Sequence, residues 1–140
     1  FSKISNDLTN VKEELYKLSK RNKNIKIIDK YVNHKDFIKY LKKINIMPIL
    51  HKANELNTIT SGTAYSCVPY EIPLILPNGT DYMNNINKSK SFENAKNVNE
   101  IVKKIIKISK NYKLYLKNAK LNSLNLKKII NKDPLITNLN

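Results

Sequence analysis

Glycine is almost absent from this chain, with two in 140 residues, and tryptophan is missing altogether. Cysteine occurs once, at Cys67, so no internal disulfide can form and the small secreted scaffolds that depend on one are excluded. No apolar run reaches the roughly eighteen residues that a membrane-spanning helix requires. The chain begins with Phe1 rather than Met, and no charged-then-apolar leader pattern follows. A piece of a longer cytoplasmic protein is the expectation. The only histidines, His34 and His51, have no cysteine or carboxylate cluster near them at metal-ligand spacing, so no metal site is expected.

Arginine is scarce too: Arg21 is the only one among 26 basic residues, against 11 acidic ones. The net charge of +15 would favour polyanions through counterion release. Base readout and phosphate forks draw on arginine, however, and here the lysines are spread among Asn and Ile along the whole chain. Nucleic acid is therefore not the expected partner. Lysine-bearing helix faces supply instead a weak attraction to acidic lipid headgroups, as for a peripheral protein at the inner membrane face.

The length suits a single domain over residues 1–140. Leu8, Val11, Leu15 and Leu18 recur at helical spacing and predict an amphipathic helix over 6–20. The β-branched run 25–28 predicts a strand, and Asn33 caps a second helix over 34–44. Two short apolar runs, 46–50 and 72–76, read as buried parallel strands, with a short helix over 63–68 between them that Pro69 ends or bends. A polar loop over 81–91 leads to a short edge strand at Phe92. Asn97 and Glu100 have capping-box spacing and open a helix whose apolar face is Val98, Ile101, Val102, Ile105 and Ile108, with Lys103, Lys104 and Lys107 in solvent. A last helix over 112–130 lies in a C-terminal helical segment, 110–140. Strands alternating with helices predict an α/β fold, a Rossmann-like three-layer α/β/α arrangement around a parallel sheet of about three to four strands.

Both glycines fall just beyond a predicted strand, where open α/β sheets bind ligands. Gly62 stands in Thr60-Ser61-Gly62-Thr63, at the start of the helix that follows the first of these strands. Free N–H groups at such a helix start suit an anionic phosphate. The sequence lacks the lysine of a Walker loop and the further glycines of a dinucleotide fingerprint. Cys67 reads as a small buried residue rather than a nucleophile.

With these motifs in order, the chain resembles the donor-binding C-terminal half of GT-B glycosyltransferases (glycosyltransferase group 1, family 4-like). The likeness rests on Ser61-Gly62-Thr63, the returning strand Ile72-Pro73-Leu74-Ile75-Leu76, the helix start Asn97-Val98-Asn99-Glu100-Ile101 and the terminal helix ending near Asn118-Ala119. It covers roughly 25–120. The glycine that precedes the proline in the family is replaced by Glu71-Ile72. The resemblance implies that Thr60, Ser61, Gly62 and Thr63 hold the diphosphate of a nucleotide-sugar donor, with Glu55 and Ser66 lining the pocket. It implies no cofactor and no required metal. An N-terminal domain of the same protein would bind the acceptor, so this piece alone is expected to be inactive. Register on Pro73 puts Thr58 and Ser66 where many retaining members carry glutamates, and no catalytic residue is assigned. The alternatives are a non-catalytic Rossmann-like scaffold module and a lysine-rich nucleic-acid-binding domain.

Overall fold

A computed structural model describes residues 5–49, 61–79 and 88–131. The chain divides into two compact units, Phe1–His34 and Lys35–Asn140. The first unit contains helix α1, Ser5–Arg21, which carries Lys20 and Arg21 in its last turn, where cations complement the helix dipole. Leu15 and Leu18 on it are exposed. Run 25–28 is not a strand. Its β-branched residues favour extended backbone, but a strand exists only with a hydrogen-bonded neighbour, and the described residues of this unit supply none. The run leads to Asp29, which pairs with Lys12 and accepts a hydrogen bond from Tyr16 Oη at 3.3 Å, tying the segment back to α1.

The second unit is α/β. Helix α2 is His34–Leu41, followed by strand β1 Met47–Pro48, helix α3 Gly62–Cys67, a 3₁₀ turn Val68–Tyr70, β2 Leu74–Pro77, β3 Phe92–Ala95, α4 Val98–Lys110 and α5 Tyr112–Ile130. Helix α2 ends one turn before the expected 44, where Lys43 and Ile44 N–H bond to Tyr40 and Leu41 carbonyls three residues back. The three strands form one parallel sheet in the order β1-β2-β3. All four residues of central β2 are buried, as expected for a strand covered on both faces.

The strand's alternation separates two cores. Leu74 and Leu76 join Leu41, Ala64, Cys67 and Val68, with Phe37, Ile38 and Leu126 packed against them. Ile75 joins Ala95, Ile108 and Tyr115, with Ile101 and Ile105 packed alongside. Helix α5 thus gives Tyr115 to one core and Leu126 to the other, passing the amino end of edge strand β3. There Asn118 Nδ2 donates to the Lys90 carbonyl at 2.8 Å, and Asn122 bonds both backbone groups of Ser89.

On the opposite edge, Met47 and Ile49 N–H donate to Pro73 and Ile75 carbonyls at 3.0 and 2.8 Å. Pro48 between them faces outward with no N–H to offer.

The face of α4 differs from the expectation. Ile101, Ile105 and Ile108 pack, whereas Val98 and Val102 are 71% and 50% exposed. Lys104 and Lys107 point not to open solvent but to Glu93 on β3. The helical period finds an apolar arc wider than the part of it that the sheet covers.

Candidate functional site

Parallel β1 and β2 are joined through α3, so α3 starts on the carboxyl side of the sheet. Ser61 caps it: its Oγ accepts the Ala64 N–H at 3.3 Å, and its carbonyl accepts Tyr65 N–H at 3.1 Å. Helix geometry leaves the N–H groups of Gly62 and Thr63 without intrahelical acceptors. At Gly62 the backbone is not left-handed, and a Cβ built there meets nothing within 4 Å among the described residues. Among the described residues, then, nothing crowds the first turn at Gly62, and no backbone strain calls for the glycine. Ser66, one turn on, is brought alongside and donates its hydroxyl to the Gly62 carbonyl at 2.8 Å. Glu55, Thr58 and Thr60 lie outside the described residues. With six residues, α3 offers a few aimed amides rather than a long macrodipole.

Gly79 is the glycine whose conformation demands it, at φ +81. It follows β2 on the same carboxyl side. The neighbouring Asn78 N–H bonds to the Ala95 carbonyl at 3.0 Å, and Asn94 Nδ2 donates to the Pro77 carbonyl at 3.2 Å. At the end of β3, Asn97 Oδ1 accepts the Glu100 N–H at 3.0 Å. Glu100 reaches back to Lys96 N–H at 2.9 Å, one residue earlier than the expected box.

A second polar centre was not foreseen. Glu93 is buried on β3 and accepts hydrogen bonds from Lys104 Nζ at 3.0 Å, Lys107 Nζ at 2.8 Å and Tyr115 Oη. Burial alone would raise its carboxyl, but the bonds from Lys107, Tyr115 and Lys104 outweigh it and hold the group at about 2. Burial, together with the Glu93 charge, pushes the Tyr115 phenol up to about 12. Neither group titrates near neutrality, as an efficient general acid or base must. Its hydrogen bonds tie β3 to α4 and α5.

Burial likewise pushes the Cys67 thiol up to about 12. At neutral pH the thiolate is negligible, so Cys67 in the native chain should resist a disulfide reagent and react once denaturant unfolds it. Fast stoichiometric labelling of the folded chain would contradict this placement. Among the described residues no group of three His, Cys, Asp or Glu is placed to hold a metal ion. No helix among them is long and apolar enough to cross a membrane. Comparison with protein-family models, curated proteins and solved structures finds no match to this chain.

Proposed function

We propose that this chain is the nucleotide-sugar donor-binding half of a GT-B-like glycosyltransferase, with Ser61, Gly62 and Thr63 receiving the donor diphosphate. The observation that carries the reading is the β1–α3–β2 crossover, whose helix opens at a serine cap on the carboxyl side of a parallel sheet, with no described residue within 4 Å of a Cβ at Gly62. Helices facing both sides of β2 suit the three-layer Rossmann-like arrangement that such a half would have. In this role the Gly62 and Thr63 amides meet the phosphate oxygens. They gain interaction energy as the sugar–phosphate bond breaks and charge accumulates on the departing diphosphate. The acceptor would be held by a further domain, so the chain alone binds donor and turns nothing over.

Calorimetric titration of the chain with UDP, GDP and ADP tests this. One of them should bind saturably, with a dissociation constant on the order of 1 mM, and be displaced by its nucleotide sugar. Gly62→Val should weaken that binding at least about tenfold by filling the space, while Gly62→Ala leaves the fold intact. Absence of saturable binding to any of them, or unchanged binding in Gly62→Val, would remove the reading in favour of a non-catalytic module.

A further inference from the structure

We propose that the outward face of α5 is a docking surface for an anionic lipid bilayer, an inference independent of the nucleotide site. Leu114, Leu121 and Leu124 are 58%, 42% and 52% exposed. With Lys117 and Lys128 they recur at spacings of three and four, making one straight seam along the helix. Beside the seam runs a second row, Lys113, Lys120 and Lys127, one heptad apart and exposed. The helix contains no Asp or Glu, and among the described residues none of these five lysines is in an ion pair.

Charge and apolarity together select the occupant. A second copy of this helix would oppose lysine to lysine along the same seam, which destabilises pairing. A nucleic acid would satisfy the lysines but leave three leucines with no counterpart, and the helix's Tyr115, which could have stacked on a base, is buried. An anionic bilayer takes both. Leucines enter the headgroup boundary while lysine stems lie along it and carry their ammonium groups to the lipid phosphates. Residues 113–128 span about 22 Å of helix, enough for several headgroups in a row.

The test is co-sedimentation of the whole chain with phosphatidylcholine vesicles, with and without about 30 mol% phosphatidylglycerol, at low salt and at about 0.5 M salt. Binding should require the anionic lipid and weaken with salt. Each lysine at such a surface is worth roughly fivefold, so Lys113→Gln/Lys120→Gln/Lys127→Gln should lower partitioning about a hundredfold. Leu114→Ser/Leu121→Ser/Leu124→Ser should lower it about tenfold at unchanged charge. Because the chain has no tryptophan, Leu121→Trp supplies a single reporter, whose emission should shift to the blue on anionic vesicles. No binding to anionic vesicles, unaltered partitioning of the serine variant or unshifted Trp emission overturns the proposal. So does tighter binding of a single-stranded RNA that survives the leucine substitutions.

Discussion

Replacing Glu93 by alanine should cost about 3 kcal/mol, because two ammonium groups and a phenol converge on one buried carboxylate and would lose it together. For a chain of this size the melting temperature should fall by about 10 °C. Glu93→Gln keeps the volume and removes the charge, so it isolates the electrostatic part and should lose somewhat less. The pH profile gives the sharper check. The Glu93 carboxyl sits at about 2 in the folded chain against an ordinary 4.5. A depressed carboxylate contributes its full stability above the unfolded value and loses it as pH falls toward the folded one. The difference in denaturant midpoint between wild type and Glu93→Gln should therefore be constant above about pH 5 and shrink between 4.5 and 2. Parallel profiles down to pH 2 would show that the lysines do not act on this carboxylate.

Asn122 is the second position with a large expected effect. Its side chain is 1% exposed. Its Oδ1 accepts the Ser89 N–H at 3.0 Å, and its Nδ2 donates to the Ser89 carbonyl at 2.6 Å and to Ser91 Oγ at 2.9 Å. Leucine fills the same space and can make none of these bonds, so Asn122→Leu should cost about 3 kcal/mol, near one for each bond. Asn118 makes a comparable bond to Lys90 from a more exposed position, and Asn118→Ala should cost about 1 kcal/mol. Hydrogen exchange locates the effect: in Asn122→Leu, protection should drop first along 89–95. Uniform loss across the sheet would mean that Asn122 supports the whole fold rather than the entry to β3.

Features encoded locally were legible in the sequence. The Asn97 cap needs only its own turn, and the run ending in Leu74-Ile75-Leu76 announces a strand buried on both sides. The start of α3 was legible for the same reason, since Ser61 needs only Ala64 to satisfy it. Features that depend on distant chain were not. The run 25–28 has a strand's composition and no strand's neighbour. Val98 and Val102 obey the helical period, yet period carries no information about how far the sheet beneath extends. Glu93 looked like any acidic residue; what could have marked it is the Lys104 and Lys107 pair, three apart on the next helix. Asn122 had no local signal, because its partners are more than thirty residues away in a chain rich in asparagine. In the candidate site, Ser66 was placed beside the turn, but its hydroxyl is committed to the Gly62 carbonyl.

Pro48 has a consequence beyond its own strand. A parallel sheet grows by templating: each outward N–H and carbonyl recruits the next extended segment, whether it comes from the same chain or another. Where β1 would offer an outward donor at residue 48, the imide nitrogen offers a ring. On that flank one covalent feature thus withholds a donor that an added strand would need, and makes β1 the poorer template of the sheet's two edges.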